Sequence, residues 1–442
     1  MHPDLATAEE LLAAEDLPGT ARELRRLADR LSAGELAPLV VRLAGLAEID
    51  ELYGAAAQLA DDVDDPGALY DYGYACIEHG LSALAVPALR EALAIVREPK
   101  RGLFGRPKAV DPQRVRKVLM ELVAALEDGD RHGEAVEVLQ DQAARPSGLD
   151  DWPEGYLLAF NALMGGRLEL AREVFGRLAE PEQPWRPAAD RIARSLARAA
   201  AAPPVDDQDL RGWHHVLTGG LLATLSPYGF EAGMTGRYAY LGDSFDNCRL
   251  GLDRLRVVLE ATGRRVTLVG LLPDRGSRAL GLAAAELFGL PAAPYRPGVA
   301  GALVVAYDLN ACDQELVAAL NERAPDEILY EHVTCWTDTP IVSADVCGLL
   351  AQTVVAPWEP GMGFDADGER IAPEPDRRTA EELAEAILAA SGTPDEGDGG
   401  TPADSAEVLA AYAARVAGTW AQAEATRDRV RSAGPVRSSR FA

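Results

Sequence analysis

Short valine-rich runs alternate with helical patterns in the second half of the chain, and this alternation constrains the fold more than any other feature. The apolar runs occupy residues 266–272, 302–309, 327–333 and 353–357. Segments with helical apolar spacing separate them, at residues 276–289, 312–323 and 341–351. Strands joined by such crossovers pair in parallel with a right-handed connection. The pattern therefore predicts a mainly parallel, doubly wound α/β domain that is covered on both faces.

Polar side chains follow each predicted strand, where ligands bind in parallel sheets. The residues that the sequence places at these carboxyl ends are Asp274, Arg275, Gly276, Ser277, Arg278, Asp308, Asn310, Asp313 and His332. A loop that only connects a strand to a helix does not need so many polar side chains. We therefore expect a binding crevice at the strand ends.

The turn Pro-Asp-Arg-Gly-Ser-Arg at residues 273–278 is the first candidate anion site. A helix that starts near Gly276 presents free backbone N–H groups, and Arg275 and Arg278 add donors suited to phosphate or carboxylate. The alternative is a capped turn whose arginines pair with nearby carboxylates. The nucleotide-binding patterns G-x-x-x-x-G-K-[ST] and G-x-G-x-x-G are absent, and so is the hydrolase pattern G-x-S-x-G.

The same region resembles a type I phosphoribosyltransferase over about residues 264–335. The resemblance is carried by the Arg-Gly loop, a helix ending in FGLP, and ALVVAYDLNACDQELVAAL. It implies a pyrophosphate loop at 274–277 and a phosphoribosyl loop at 307–313. Tyr307 stands at the family's first acidic position and Asp313 where a small residue is expected. The resemblance therefore implies the fold and a changed ligand, with Asp274, Arg275, Arg278, Asp308 and Asp313 as the residues of an alternative transferase.

A glycine- and aromatic-rich run at residues 213–247 is either a lid over the crevice or an irregular cap on the sheet. As a lid, it would bring Arg237 and Asp243 to the strand ends. The pair His214-His215 cannot ligate one metal from a helix, because consecutive side chains lie on different faces. The five cysteines form no C-x-x-C pair. We expect no metal site and no cofactor.

Residues 1–200 show apolar residues at helical spacing throughout. Residues 68–99 resemble a tetratricopeptide repeat, with Leu69, Tyr72, Gly73 and Cys76 on a first helix and Ala85, Leu89 and Ala92 on a second. Weaker copies follow at 118–142 and 156–178, and a poorer one precedes at 38–65. The resemblance implies a helical array over about 38–180 with a groove that binds a protein partner. The alternative is a helical domain that only docks on its neighbour.

A basic segment at about residues 97–117 interrupts the repeat spacing and contains all three lysines of the chain. Its prolines and glycines predict an insertion loop. The loop is either a solvated insertion or a docking element for an acidic partner, an anionic lipid or the acidic parts of this chain.

Composition changes mark three predicted regions. Pro203-Pro204 and three aspartates make residues 197–209 a linker between a helical domain at 1–200 and the α/β domain at 210–360. Residues 361–442 then form a C-terminal tail with helices at 379–390 and near 405–432. The acidic, Gly-rich stretch 391–405 between them reads as a flexible linker.

The chain has 70 acidic and 43 basic residues and a net charge of −27. Such a surface repels nucleic acid, so general nucleic-acid binding is not expected. The sequence shows no long apolar run and no secretory signal pattern, which favours a cytoplasmic protein without a membrane span.

Together these features predict an interaction or sensing protein. Its helical groove would bind a protein partner, and its α/β domain would bind a small phosphate-bearing ligand without catalysis. The predicted ligand residues are Asp274, Arg275, Gly276, Ser277, Arg278, Asp308, Asn310, His332 and Arg237. A phosphoribosyltransferase-type enzyme and a ligand-free scaffold are the alternatives.

Overall fold

The structure is a computed structural model of the chain. It describes residues 3–99, 110–230, 233–361, 363–364, 370–371, 374, 376–402, 404–422, 426–431, 434–436 and 438. The chain divides into two compact units, Met1–Trp185 and Arg186–Phe441. The linker predicted at 197–209 lies inside the second unit. In the described ranges, no helix is both long and apolar enough to cross a membrane.

The first unit is entirely helical in its described part. Its α-helices are α1 Ala6–Ala13, α2 Leu17–Leu27, α3 Ala33–Leu46, α4 Asp50–Asp61, α5 Pro66–Glu78, α6 Ser82–Arg97, α7 Pro112–Asp128, α8 His132–Ala143, α9 Tyr156–Met164 and α10 Leu168–Phe175. Each helix packs against the next along the chain, so the unit is a succession of helix pairs.

The crossing of α5 and α6 shows why small residues are needed between paired helices. A Cβ atom at Gly73 would lie 2.6 Å from the Leu89 side chain. Tyr72 and Cys76 flank this contact, and both are fully buried. The close approach explains the apolar and small-residue spacing of residues 68–99.

The prediction of an insertion loop over 97–117 was wrong at both ends. Helix α6 continues to Arg97, and α7 begins at Pro112, so Lys117 is helical. The Asp111 side chain accepts a hydrogen bond from the backbone N–H of Gln113, and proline suits the first helical turn. Because of these signals, helix α7 begins inside the basic segment, before its last basic residues. Residues 100–109 lie outside the described residues.

Helices α7, α8 and α9 meet at a buried polar group. Asn161 donates a hydrogen bond from Nδ2 to Glu127 Oε1 at 2.6 Å, and its Oδ1 lies 2.9 Å from His132 Nδ1. Burial raises the pKa of Glu127 to about 7, against the opposing effect of the Asn161 hydrogen bond. The folded unit therefore holds this proton more tightly than the unfolded chain does.

The substitution Glu127→Gln should stabilise the helical unit above pH 7 by up to about 3 kcal/mol. Wild-type stability should fall as the pH rises from about 4.5 to about 7, because the unfolded chain releases the proton first. The glutamine oxygen still accepts from Asn161 but carries no charge. Urea unfolding at several pH values measures the difference, with exposed Glu137→Gln as control. An equal pH dependence in wild type and Glu127→Gln would refute it.

The second unit contains a large sheet and the remaining helices. Its helices are α11 Arg186–Ala201, α12 Leu210–Thr218, α13 Phe245–Thr262, α14 Arg275–Phe288, α15 Gln314–Ala319, α16 Ala380–Ala389 and α17 Ala406–Val416. Its strands are β1 Leu221–Leu222, β2 Tyr238–Gly242, β3 Leu268–Leu271, β4 Ala292–Pro294, β5 Ala302–Ala306, β6 Ile328–Cys335, β7 Val346–Val355, β8 Gly363–Phe364 and β9 Arg370–Ile371.

The large sheet has seven strands and confirms the prediction of a parallel α/β fold. Its order is β1-β7-β6-β5-β3-β4, with β2 also paired to β7. Every pairing within this sheet is parallel. The short pair β8-β9 is antiparallel. The carboxyl ends of β2, β3, β5, β6 and β7 therefore lie at one edge.

The helix predicted at 341–351 was wrong, because strand β7 begins at Val346. The first six residues of β7 are all buried. A strand that is buried on both faces lacks the alternating pattern that identifies half-buried strands, and its apolar run can be mistaken for a buried helix. Strands β1, β2 and β4 were not predicted.

Alternate residues of the central strands face two separate cores. Helices α13, α14, α16 and α17 cover one face, where Leu303 and Val305 of β5 lie. Short α15 and the segments around it cover the other face, where Ala302, Val304 and Ala306 lie. Both faces are therefore closed.

The C-terminal region belongs to the same compact unit as the sheet. Helix α16 confirms the helix predicted at 379–390 and begins with a capping box of Thr379 and Glu382. The last predicted helix, near 405–432, is shorter than expected and ends at Val416. The described part of 391–405 contains no helix or strand, but Asp404 is a buried ion-pair partner of Arg211 and Arg254. This stretch is thus anchored rather than free.

Candidate functional site

The start of α14, where an anion was predicted, is occupied by side chains of the protein itself. Asp274 accepts a hydrogen bond from the backbone N–H of Ser277 at 2.8 Å. The Ser277 hydroxyl accepts from the backbone N–H of Tyr307 at 2.9 Å. Cys312 Sγ lies 3.3 Å from the second oxygen of Asp274. The Asp274 carboxylate therefore caps this helix end.

An indole ring covers the first turn of α14. A Cβ atom at Gly276 would lie 2.8 Å from Trp358 Cζ2, so the glycine lets the ring approach the backbone. The same ring packs edge-on against Tyr307, with centroids 4.7 Å apart. Trp358 follows β7 and was not among the predicted site residues.

The two predicted anion-binding arginines bind a later segment of the chain. Arg275 donates hydrogen bonds to the backbone carbonyls of Asp376, at 2.7 Å, and Arg378, at 2.6 Å. Arg278 forms an ion pair with Glu381 at 3.0 Å. These contacts match the capped-turn alternative, with partners from residues 376–381 instead of neighbouring aspartates.

The predicted polar residues after β5 are also engaged locally. Asp308 accepts from the backbone N–H of Asn310 at 2.8 Å, and Asn310 Nδ2 donates to the Asp338 carbonyl at 2.7 Å. Asp313 caps α15 through the N–H of Leu316. Burial raises the pKa of Asp308. The three side chains shape the turn after the strand.

Arg237 and His332 are both buried in the second unit. Arg237 donates to the carbonyls of Met234 and Val436 and lies over the Trp336 ring at 5.6 Å. His332 lies within β6, and its Nε2 atom is 3.1 Å from Asp243 Oδ2. Of these contacts, only the one between His332 and Asp243 pairs two side chains of the types that occur in catalytic and metal sites.

A small cavity of about 60 Å³ lies between α12 and the crossing from β6 to β7. Its walls are mainly apolar and include Leu217, Val342 and Leu350. His214 also lines it, and burial lowers the pKa of this histidine to about 4. No local sequence pattern marks this cavity, because its walls come from distant segments.

An acidic surface with exposed tyrosines lies on the helical unit. Residues 49–80 contain eight carboxylates and no lysine or arginine. Tyr74 of α5 is 39% exposed, and its ring stacks on Tyr70 with centroids 6.4 Å apart. Large exposed aromatic rings among charges are typical of binding surfaces.

Carboxylates from three helices act electrostatically on Tyr74. The charges of Glu78 on α5, Glu121 on α7 and Glu51 on α4 raise the pKa of its phenol, with Glu78 having the largest effect. We call the surface formed by Glu51, Tyr70, Tyr74, Glu78 and Glu121 the tyrosine surface. The negative charges lie near aromatic rings, so a cation that binds there meets both.

One cation of the chain already uses this arrangement. Lys117 Nζ of α7 lies 4.0 Å from the centroid of the Tyr70 ring. The Tyr70 hydroxyl donates to Glu121 Oε1 at 3.4 Å. A lysine, an aromatic face and a carboxylate thus meet on two helices. This surface was not predicted, although the acidic stretch and YDYGY at residues 70–74 are visible in the sequence.

Comparison with known proteins assigns no relative. No protein-family model matches the chain, and a search of curated proteins yields no match. The resemblances to tetratricopeptide repeats and to phosphoribosyltransferases therefore stay predictions. The chemistry of the surfaces described above is the basis for any functional proposal.

Proposed function

We propose that the chain is a protein-interaction protein whose tyrosine surface binds a lysine- or arginine-rich segment of a partner. The observation that carries this proposal is the placement of Lys117 over Tyr70, beside Glu121. A cation of the chain already makes the contact that a partner's cation would make on Tyr74. The proposed compartment is the cytoplasm.

The electrostatics of the tyrosine surface support a cationic ligand. The electron-rich face of a tyrosine attracts lysine and arginine by about 0.5–2 kcal/mol, depending on solvent exposure. Glu78 and Glu51 are exposed and lie near Tyr74. Opposite charge also speeds the encounter of two proteins. An anionic partner would be repelled.

The arrangement of the helices also supports binding of an extended segment. Tyr70, Tyr74 and Glu78 follow one another at intervals of four residues on α5, so they share one helical face. Helix α7, the first helix of the next pair, adds Lys117 and Glu121. Stacked helix pairs commonly bind partner segments along such a surface.

We propose no phosphate-bearing ligand for the second unit. Arg275 and Arg278, the residues predicted to bind phosphate, hold residues 376–381. A phosphate would have to displace these contacts and approach the Asp274 carboxylate. The proposal therefore assigns no phosphate-bearing ligand and no transferase step to this unit.

A binding titration tests the proposal. The full chain is titrated against a short fluorescein-labelled peptide rich in lysine and arginine, and fluorescence anisotropy is measured. We expect the double variant Tyr74→Ala/Glu78→Gln to bind the peptide about tenfold more weakly than wild type. Binding should also weaken as salt rises, because exposed charges are screened over about 10 Å at 0.1 M.

A matched variant separates the surface from the overall negative charge. Tyr240→Ala/Glu10→Gln removes one exposed tyrosine and one exposed carboxylate elsewhere. This control should bind as wild type does. Equal weakening in both double variants would show that the peptide responds only to net charge, and the proposal would then fail.

A further inference from the structure

Three potential metal ligands lie together beneath the strand ends of the second unit. Asp243 follows β2, Cys248 lies in the first turn of α13, and His332 lies in β6. One donor atom from each residue lies within 4.8 Å of the other two. The side chains of Asp243 and His332 are 0% and 1% exposed, and Cys248 is fully buried.

Two of the three distances between the donor atoms are close to those in a tetrahedral metal site, and the third is within 4.8 Å. Asp243 Oδ2 lies 3.1 Å from His332 Nε2 and 3.6 Å from Cys248 Sγ. In a tetrahedral zinc site, the usual bond lengths separate oxygen from nitrogen by roughly 3.3 Å and oxygen from sulfur by roughly 3.5 Å. The separations of Asp243 from His332 and from Cys248 are therefore compatible with a shared ion.

A second layer of residues orients the histidine. The Tyr330 hydroxyl lies 3.1 Å from His332 Nδ1, which leaves Nε2 directed at Asp243. A Cβ atom at Gly251 of α13 would lie 2.8 Å from His332 Nδ1 and 2.4 Å from the Tyr330 hydroxyl. Glycine therefore leaves the space in which this pair sits. Metal-bound histidines usually have such a partner on the other ring nitrogen.

The charge of the cluster provides independent support. Asp243 contacts His332, Cys248 and Tyr307 through Oδ2, and its other oxygen, Oδ1, is buried and has no hydrogen-bond partner among the described residues. A buried carboxylate oxygen without a partner is costly. A divalent cation would neutralise the carboxylate together with a Cys248 thiolate, and a neutral imidazole would complete the set.

We propose that Asp243, Cys248 and His332 bind one divalent transition-metal ion of the zinc class. Sulfur, nitrogen and oxygen donors together favour zinc, cobalt or iron over magnesium and calcium. Binding would release the Cys248 thiol proton to solvent, and the Sγ–metal bond would replace the contact with Asp243. The Tyr307 hydroxyl, 2.8 Å from Asp243 Oδ2, is a candidate for the fourth position.

The site is closed and therefore structural in character. Trp358 packs against Tyr307, and the Phe245 ring lies 6.4 Å from the Trp358 ring, so aromatic side chains cover this region. The ion would join β6, the start of α13 and the residue after β2. The sequence predicted no metal site, because Asp243 and His332 are 89 residues apart and show no ligand spacing.

Metal analysis of the full chain tests this proposal. Protein prepared with added zinc and then dialysed should retain about one zinc ion per chain. Cobalt added to metal-free protein should produce thiolate-to-cobalt charge-transfer absorption. Cys248→Ser should lose both signals, and Cys335→Ser should keep them, because Cys335 lies outside the cluster.

A variant that keeps all three ligands guards against effects of misfolding. Tyr330→Phe removes only the partner of His332 and should weaken cobalt binding by about 10–100-fold. Circular dichroism establishes that each variant is folded. The absence of zinc and of the cobalt absorption in folded wild type would overturn the proposal and leave only a hydrogen-bonded cluster. Unchanged cobalt spectra in folded Cys248→Ser would overturn it as well.

Discussion

Replacing Asp404 by alanine should lower the free energy of unfolding of the α/β unit by about 3–5 kcal/mol. The Asp404 carboxylate lies 2.9 Å from Arg211 and 2.8 Å from Arg254, and all three side chains are less than a tenth exposed. It also accepts from the backbone N–H of Leu225. Without it, two buried guanidinium groups lose their counter-charge. Denaturant unfolding followed by tryptophan fluorescence measures the loss.

A neighbouring carboxylate provides the control for Asp404. Glu396 lies in the same acidic stretch and is exposed, so Glu396→Ala should change the free energy of unfolding by less than about 0.5 kcal/mol. If Asp404→Ala were equally silent, residues 391–405 would behave as the flexible linker that their composition suggests.

Replacing Arg427 by methionine should also destabilise the α/β unit by about 3–5 kcal/mol. Arg427 pairs with Asp345 and with Glu327, both at 2.8 Å, and all three side chains are almost fully buried. The substitution leaves the Glu327 carboxylate without its cation, whereas Asp345 keeps Arg323. Unfolding in denaturant at pH 7 measures the effect.

A double-mutant cycle tests whether the lost charge partner is the cause. Adding Glu327→Gln to Arg427→Met should recover part of the stability, because the unpaired buried charge disappears. Strict additivity of the two effects would contradict this explanation.

Burial raises the pKa of Asp345, but the neighbouring charges of Arg427 and Arg323 lower it further and hold it below its ordinary value. The stabilisation is therefore present above the ordinary carboxyl pKa and is lost as the pH falls.

The sequence predicts most of the local elements, because local signals determine them. Ser244 caps α13, Asp274 caps α14, and Thr379 with Glu382 begins α16, and each follows from residues within one turn. The apolar runs likewise predict β3, β5 and β6. Strand β7 was only partly predicted, since its first residues are buried on both faces and read equally well as helix.

Long-range contacts determine the arrangement of the side chains at the predicted anion site. Arg275 and Arg278 have the donors that phosphate needs, but residues about one hundred positions later take those donors. The ion pair of Asp404 with Arg211 spans 193 residues in the same way. No local pattern signals such contacts, because backbone topology alone brings the partners together.

The tyrosine surface could be predicted from the sequence only in part. The acidic character of residues 49–80 and the three tyrosines of YDYGY are visible in the sequence. Helical spacing places Tyr70 and Tyr74 on one face and buries Tyr72 on another. Only the packing of α5 against α7 brings in Lys117 and Glu121, which lies 51 residues from Tyr70.

Hydrogen–deuterium exchange of the full chain tests the interaction proposal most directly. Exchange is measured with and without the lysine- and arginine-rich peptide, at a concentration that saturates binding. The proposal predicts slower exchange in α5 and α7 at Tyr70–Glu78 and Lys117–Glu121, and no such change in Tyr74→Ala/Glu78→Gln. Protection confined to other acidic segments, with α5 and α7 unchanged, would contradict it.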